Sequence, residues 1–369
     1  MKKIKLLFKL GYVYHKAAFD PVIDVFMKDP QYDIYFSMQE ERIRRFFINF
    51  NYRSPLIDEW IRQGYRFTEE KKGFDVIIVG DTVRDAEEYG DPMLCFLNHG
   101  TGIKTILYRN LARFPNHRYY LFVEGRYREE QLHKSGVLGK SRIEVIGLPK
   151  LDYYFQGRYA DREGILKKWG LDPAKPTVLF APTYKPTCMY QIQDEIFEAT
   201  RDYNLIIKLH HYSWMGKYAP HKQHRIFERR VRRYPHSVLL PVTEYNIVPY
   251  MAVADTLISE ASSTVFDFLA FDKIGIIYDL QCDNLKHSDG QPILEVDNRQ
   301  FLKDAFIHIQ APQELKAAID RAVHPTEDMK AKAAEYKNHY FHQLDGRASQ
   351  RMKTRIEEIL AQRNFSNGN

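Results

Sequence analysis

The chain of 369 residues is 44% hydrophobic and 28% charged, an ordinary composition for a globular protein large enough to hold two domains with separate cores. Its 54 Lys and Arg exceed its 48 Asp and Glu, and the net charge of +6 suits phosphorylated ligands or an anionic membrane surface, so we expect no nucleic-acid partner. The cysteines, Cys95, Cys188 and Cys282, are far apart, which indicates neither a disulfide framework nor a zinc motif and predicts a cytoplasmic protein.

Alternating strands and helices are predicted along the first part of the chain. The opening segment, MKKIKLLFKL, has lysines inside its apolar run and no small-residue cleavage site, so we interpret it as a first strand rather than a signal peptide. No apolar run approaches the roughly 20 residues that cross a bilayer, so any membrane contact is expected to be peripheral. Helical patterns at residues 58–63 and 103–113 separate predicted strands, which indicates a mostly parallel sheet. The predicted strands are residues 4–10, 33–36, 76–79, 93–97, 119–123 and 143–146.

A second sheet of the same type is predicted after a polar segment near residue 160. Pro173 and Pro176 mark the boundary, and a final helix is predicted at about residues 348–362. We therefore expect domains at residues 1–160 and 161–345, followed by a C-terminal helix and polar tail at residues 346–369. The strands predicted for the second domain are residues 178–180, 205–209, 238–240, 256–259 and 274–278.

The stretch ADTLISEASSTVFDFLAFDKIGIIY, residues 254–278, contains a predicted strand, a turn of small residues and a helix. Ser262 and Ser263 lie at the start of that helix, where backbone N–H groups and the helix dipole favour a phosphate. Serine is also a common helix N-cap. A phosphate site and a simple cap are therefore both consistent with this turn.

Six short motifs occur in an order that resembles the CDP-glycerol glycerophosphotransferases, over about residues 96–351. This resemblance implies a GT-B fold, in which two Rossmann-like domains face each other across a cleft, and an enzyme of teichoic-acid or capsule synthesis that needs no cofactor and no bound metal. The motifs are HGTGIK at residues 99–104, IGLPKLD at 146–152, APTYK at 181–185, IIKLHH at 206–211, the Ser-Ser turn, and DGRASQR at 345–351.

Two histidines are the catalytic residues that the resemblance implies. His99 would be the general base of an acceptor-side domain; the alternative is a turn histidine hydrogen-bonded to backbone. His210 matches a basic-x-His element, with Lys208, that contacts donor phosphate. His211 follows it where the family has proline, so which of the two histidines faces the cleft stays open. The donor-binding residues implied by the resemblance are Lys104, Thr183, Tyr184, Lys185, Lys208, Glu260, Ser262, Ser263, Asp267 and Arg347.

Several of these residues also have a structural interpretation. Lys104 could be a solvated helix lysine, and Thr183 could belong to a plain polar loop. Asp267 would accept hydrogen bonds from ribose hydroxyls or pair with the helix dipole. Arg347 would reach the donor phosphate or form a surface ion pair. At the Ser-Ser turn, Glu260 and Ala261 replace the family's aspartate and tyrosine, which puts donor preference in question.

The activity that the resemblance implies is transfer of glycerol phosphate from CDP-glycerol to a hydroxyl of a lipid-linked or growing cell-surface polymer, with release of CMP. Alternatives are the same scaffold acting on CDP-ribitol or on a UDP-sugar, as a glycosyltransferase or 2-epimerase, and a non-catalytic polymer-binding relative. Residues 222–233 form a basic pattern with apolar residues on one helical face, which predicts either an amphipathic helix on anionic lipid at the inner face of the cytoplasmic membrane or a solvated helix packed on its own domain.

Overall fold

The computed structural model describes residues 3–38, 41–45, 48–52, 54–83, 86–102, 104–215, 222–280, 294 and 300–367. Within these ranges the chain forms two parallel sheets of six strands each and a two-stranded antiparallel hairpin. Helices surround both sheets. This α/β architecture of two doubly wound sheets confirms the predicted fold class.

The first sheet is built from apolar strands whose alternate residues enter different cores. Leu6 and Phe8 face one core and Leu7 faces the other, as the two-residue period of a strand requires. Its strands and the hairpin are β1 (Ile4–Leu10), β2 (Tyr32–Met38), β3 (Glu41–Arg45), β4 (Ile48–Tyr52), β5 (Val76–Val79), β6 (Met93–Leu97), β7 (Tyr120–Val123) and β8 (Arg142–Val145). The helices before residue 160 are α1 (Lys16–Met27), α2 (Pro55–Arg62), α3 (Ile106–Arg113), α4 (Arg126–Ser135) and α5 (Asp152–Phe155). The next helix, α6 (Arg162–Lys168), buries Leu166 in the core of the second sheet.

The second sheet has one strand that the sequence patterns did not predict, the three-residue strand β14. Its strands are β9 (Thr177–Phe180), β10 (Asn204–Ile207), β11 (Ser237–Leu239), β12 (Thr256–Ser259), β13 (Ile276–Tyr278) and β14 (Ile307–Ile309). The helices are α7 (Met189–Ile192), α8 (Glu195–Ala199), α9 (His211–Met215), α10 (Arg225–Glu228), α11 (Val248–Val253), α12 (Ser263–Phe268), α13 (Leu315–Val323), α14 (Glu327–Tyr340) and α15 (Ala348–Asn367).

The chain returns to the first sheet at its end. Met352, Ile356 and Ile359 of α15 are buried in the same core as Phe8 and Phe19. The helix extends to Asn367, beyond the predicted end near Gln362. The chain changes sheets between β8 and β9, which supports a division near residue 160, and we keep the three predicted segments as a proposal.

The strand order fixes where a ligand can bind. The first sheet runs β2-β1-β5-β6-β7-β8 and the second runs β11-β10-β9-β12-β13-β14. In each sheet the connections reverse direction once, between β1 and β5 and between β9 and β12, and ligands of doubly wound folds bind beyond the carboxyl ends of strands at such switch points. Residues 11–15 and 80–81 follow the strands of the first switch point; residues 181–188 and 260–262 follow those of the second.

The predicted amphipathic helix over residues 222–233 is wrong as a single element. The segment divides into the one-turn helix α10 and a 3-10 turn at Val231–Arg233. Phe227 is fully buried in the second core, and the Arg230 Nε atom donates to Asp194 Oδ1 at 2.7 Å. These contacts match the alternative of a segment packed on its own domain. None of the described helices combines the length and apolar composition that a membrane-crossing helix needs.

Candidate active site

A cluster of histidine and tyrosine rings joins the two halves of the molecule. The Tyr14 ring centroid lies 6.0 Å from that of His99 and 5.3 Å from that of His210. His15 lies on the other side of His99, at 4.5 Å, and Tyr184 lies 4.6 Å from His210. The structure therefore brings the two predicted catalytic histidines together around a tyrosine from the loop after β1.

The two histidines are held in opposite tautomers. The His99 Nδ1 atom lies 3.1 Å from the Gly80 carbonyl oxygen, which can only accept, so Nδ1 carries a proton and, in the neutral ring, Nε2 has the lone pair. The His210 Nδ1 atom accepts from the Tyr212 backbone N–H at 3.1 Å, so its proton is on Nε2. His99 is thus arranged to accept a proton and His210 to donate a hydrogen bond.

The cleft around His210 is electropositive. Desolvation lowers the pKa of His210 well below its ordinary value, so the ring is neutral at pH 7. Burial also lowers the pKa of Lys208, to about 8. Such a concentration of cationic groups disfavours adding another proton and favours an anion. Lys104 and Lys208 are cationic neighbours that contribute, after burial, to the low pKa of His210.

A buried network supports the loop that carries His99. The Glu124 carboxylate accepts from Asn98 Nδ2 at 2.8 Å and from Arg128 Nε at 3.3 Å. The Arg128 guanidinium also donates to the Gly102 carbonyl oxygen and to the Tyr108 hydroxyl. Arg128 and Glu124 are both almost fully buried. The network fixes residues on both sides of His99, which orients the imidazole.

Asp267 ties the two halves together rather than facing the cleft. Its carboxylate is fully buried, pairs with Lys150 Nζ at 2.7 Å and accepts from the Thr101 backbone N–H at 3.0 Å. Both partners belong to the first half of the chain. These bonds occupy both carboxylate oxygens, so Asp267 has a positioning role in this arrangement.

Gly100 lies directly against the start of α12. A Cβ atom added at Gly100 would lie 2.8 Å from Ser263 Oγ and 2.9 Å from Ser263 Cβ, closer than real contacts. The His-Gly loop and the Ser-Ser turn therefore touch, and a residue without a side chain is required there. Ser262 caps α12, since its Oγ atom accepts from the Thr264 N–H at 3.3 Å. The capping interpretation of Ser262 agrees with these contacts, whereas Ser263 faces the loop of His99.

Glu260 is buried beneath the second switch point. Its carboxylate accepts from Thr183 N at 2.7 Å, from Cys188 N at 2.6 Å and from the Thr187 hydroxyl at 3.0 Å. Burial raises the pKa of Glu260. The Thr183 hydroxyl donates to the Pro186 carbonyl oxygen. Glu260 and Thr183 thus shape the loop that presents Tyr184 to His210.

Three predicted donor residues are exposed. Lys104 and Lys185 are open to solvent, and Lys104 is near enough to His210 to influence its pKa. Arg347 lines a surface cavity of about 460 Å³ with Glu144 and Arg351. None of the residues lining that cavity belongs to the histidine cluster.

Sequence reasoning missed three cleft residues, Tyr14, His15 and Asp81. Their position in the sequence could have identified them, because GYVYH follows the first predicted strand and GD follows the predicted strand VIIV. Applying the strand-end rule to every strand, and not only to the recognised motifs, would have selected them.

Comparisons with known proteins agree with this geometry. A family model described as CDP-Glycerol:Poly(glycerophosphate) glycerophosphotransferase matches residues 96–358. The structure of the wall teichoic acid polymerase TagF is similar, with a TM-score of 0.68 and 17% identity over 97% of this chain and 89% of that one. The structure of the UDP-GlcNAc 2-epimerase from Neisseria meningitidis bound to UDP-GlcNAc is also similar, with a TM-score of 0.62 and 11% identity. That match covers 96% of this chain and 100% of the epimerase chain. These likenesses confirm the GT-B type of fold. No curated protein sequence matches the chain.

Proposed function

Because the chain belongs to the CDP-glycerol:poly(glycerophosphate) glycerophosphotransferase family and is a transferase of that class, we propose that it moves a glycerol phosphate unit from CDP-glycerol to a hydroxyl of a lipid-linked or growing teichoic-acid-like polymer, releasing CMP. The observation that carries the proposal is the pair of histidines in opposite tautomers, one from each half, in an electropositive cleft. One histidine suits the acceptor hydroxyl and the other suits the donor phosphate.

The reaction uses the two rings in different ways. His99 Nε2 takes the proton of the acceptor hydroxyl as its oxygen forms a bond to the phosphorus that carries glycerol. The bond from that phosphorus to the bridging oxygen breaks, and CMP leaves with the electron pair. His210 Nε2–H donates to a phosphate oxygen, and Lys208 and Lys104 offset the negative charge of the transferred group and of CMP.

The remaining donor residues have graded roles in this proposal. Tyr184 offers a ring beside His210, and Ser263 and Lys185 offer polar groups at the edge of the cleft. Glu260, Thr183 and Asp267 act by shaping the loops, since their polar atoms are occupied within the protein. Ser262 holds the start of α12, and Arg347, the residue before α15, would reach the donor phosphate with its guanidinium.

The donor alcohol is the least constrained part of the proposal. CDP-ribitol would use the same phosphate contacts, and a UDP-sugar would use the same GT-B cleft. A non-catalytic polymer-binding protein would need neither a lone pair on His99 nor a donated hydrogen bond from His210. The tautomer pair therefore favours an enzyme, and the donor has to be chosen by measurement.

A donor panel tests the proposal. The purified protein is incubated with a poly(glycerol phosphate) acceptor and, separately, with CDP-glycerol, CDP-ribitol or UDP-N-acetylglucosamine, and the released nucleotide is measured. We expect CMP from CDP-glycerol, in an amount equal to the glycerol phosphate added to polymer. Release of UDP or a 2-epimerised sugar would favour the alternatives, and no product from any donor would favour a binding protein.

A lipid-linked acceptor would place the reaction at the inner face of the cytoplasmic membrane. Lys222, Arg225, Arg229 and Arg232 are exposed along one segment and provide a cationic surface for anionic lipid. We expect sedimentation with anionic but not neutral vesicles, weakening as salt is added. This segment is not the membrane contact if sedimentation is the same with neutral vesicles and at high salt, or if it persists when these four residues are replaced by Gln.

A further inference from the structure

A cluster of three possible metal ligands, His15, Asp81 and His99, lies at the switch point of the first sheet. One ligand atom each from His15, Asp81 and His99 lies within 4.8 Å of the others. His15 is fully buried, and neither of its ring nitrogens has a hydrogen-bond partner within the described part of the chain. Buried imidazole nitrogens are normally paired, so the cluster lacks a group that these nitrogens would contact.

We propose that His15, Asp81 and His99 form a binding site for a divalent transition-metal ion of the Zn²⁺ or Co²⁺ type. The His15 Nε2 and Asp81 Oδ2 atoms are 3.6 Å apart, too far for a hydrogen bond. With bonds of about 2.1 Å, two ligands of a tetrahedral ion lie about 3.4 Å apart, so this spacing fits a shared metal. Two imidazoles and one carboxylate leave a fourth position open.

The surroundings of the cluster meet two further requirements of a metal site. His99 gives its Nδ1–H to the Gly80 carbonyl oxygen, which is the outer contact that metal-bound histidines commonly make and which leaves Nε2 as the ligand atom. The side chain of Asp81 is 50% exposed, whereas that of His15 is fully buried. Asp81 therefore provides an entry path, and His15 provides the fixed inner ligand.

Occupation of this site has a consequence that rests on the proposed function. The lone pair on His99 Nε2 can take an acceptor proton or bind a metal, but not both. A bound ion would therefore silence the base, and transfer would be inhibited by metal and restored by a chelator.

Metal binding is tested first without activity. Tag-free, metal-free protein is titrated with Co²⁺ and followed by visible absorption, and Zn²⁺ is used to displace the Co²⁺. We expect one ion per chain with a four-coordinate spectrum. Asp81→Asn keeps the side-chain shape, and His15→Gln removes the inner ligand; each should weaken binding by more than the ~10–100-fold typical of losing an outer-shell contact. His133→Gln, which changes an exposed histidine of α4, is the matched control and should keep the spectrum.

The outcomes separate the two proposals. The site is overturned if the wild-type protein gives no four-coordinate Co²⁺ spectrum, or if neither Asp81→Asn nor His15→Gln changes that spectrum. If His15→Gln folds poorly, Asp81→Asn alone decides the test. Inhibition of CMP release by Zn²⁺ that EDTA reverses supports the shared use of His99, and Zn²⁺ binding without inhibition overturns it. Absence of CMP release from metal-free wild type contradicts the proposed function only, since the Co²⁺ spectrum does not depend on transfer.

Discussion

The two switch points of this molecule have the same topology but differ in whether their buried polar side chains have hydrogen-bond partners. At the second, between β9 and β12, the buried Glu260 carboxylate accepts three hydrogen bonds from the loop above it. At the first, between β1 and β5, the nitrogens of the buried His15 ring have no hydrogen-bond partner among the residues that the structure describes. Buried polar groups are thus satisfied within the protein at the second switch point, whereas at the first the His15 ring keeps hydrogen-bonding capacity.

Whether the polar atoms of a buried residue are already hydrogen-bonded indicates whether that residue stabilises the fold or acts on a ligand. A carboxylate with all its partners supplied by the protein stabilises a loop and has little capacity left for substrate. An imidazole held by one hydrogen bond at a loop keeps its second nitrogen available for chemistry. His99 and His210 are both of this second kind. Polar residues with occupied atoms should therefore affect stability, and those with an available atom should affect binding or turnover.

The largest expected effect is on stability at the second switch point. Glu260→Ala leaves two backbone N–H groups and one hydroxyl without a partner in a buried site, at a cost of about 3–6 kcal/mol in the free energy of unfolding. Urea denaturation measures it. The control is Glu163→Ala, an exposed residue of α6, which should change the free energy by no more than about 0.5 kcal/mol. A small effect of Glu260→Ala would mean that the carboxylate is available for donor.

The contact between the halves gives the next prediction. Gly100→Ala places a methyl group within 2.9 Å of Ser263 and should cost about 1–3 kcal/mol while separating the two loops. Transfer should fall more than CDP-glycerol affinity, because the base moves relative to the phosphate. Adding Ser263→Gly removes the clash and should restore much of the stability. If the second change restores nothing, the two loops do not touch in solution.

The charge of Lys208 predicts a pH dependence of donor binding. Its pKa is lowered to about 8 by burial, with Lys150 adding to the shift and Glu244 opposing it. Because a bound phosphate favours the charged form, affinity for CDP-glycerol should be constant below pH 8 and then fall, approaching tenfold per pH unit. Arginine stays charged over this pH range, so Lys208→Arg should make the affinity for CDP-glycerol nearly independent of pH. His210 is neutral over the same range and should not contribute to the change. Calorimetric titration from pH 7 to about pH 9.5 measures it; equal profiles would exclude Lys208 from the phosphate contact.

The two serines give the smallest and most selective effects. Ser262→Ala removes a helix cap and should cost about 1 kcal/mol of stability. Ser263→Ala should leave stability within about 0.5 kcal/mol and weaken donor binding. Thermal unfolding and donor titration of each variant separate the two roles. Equal behaviour of the variants would return the pair to a single capping function.

The sequence predicted the sheets well because their strands are short apolar runs separated by helical patterns. It placed His99 and His210 at the carboxyl ends of predicted strands, because each histidine lies in a recognisable motif just after an apolar run; their catalytic roles stay a prediction. It could not predict that His15 lies close to Asp81, because this depends on β5 pairing with β1 although five labelled elements, α1 to α2, separate the two strands in sequence. Nor could it predict that Asp267 forms an ion pair with Lys150, since a contact between residues far apart in sequence has no local pattern.

The division of labour between His99 and His210 is tested most directly by measuring turnover and CDP-glycerol affinity for His99→Ala and His210→Ala together. A base that takes the acceptor proton contributes ~10²–10⁴-fold, so His99→Ala should lose turnover by about that factor and keep nearly normal donor affinity. His210→Ala should bind CDP-glycerol more weakly. Near-normal transfer by His99→Ala would contradict its assignment as the base and leave it a turn histidine bonded to Gly80.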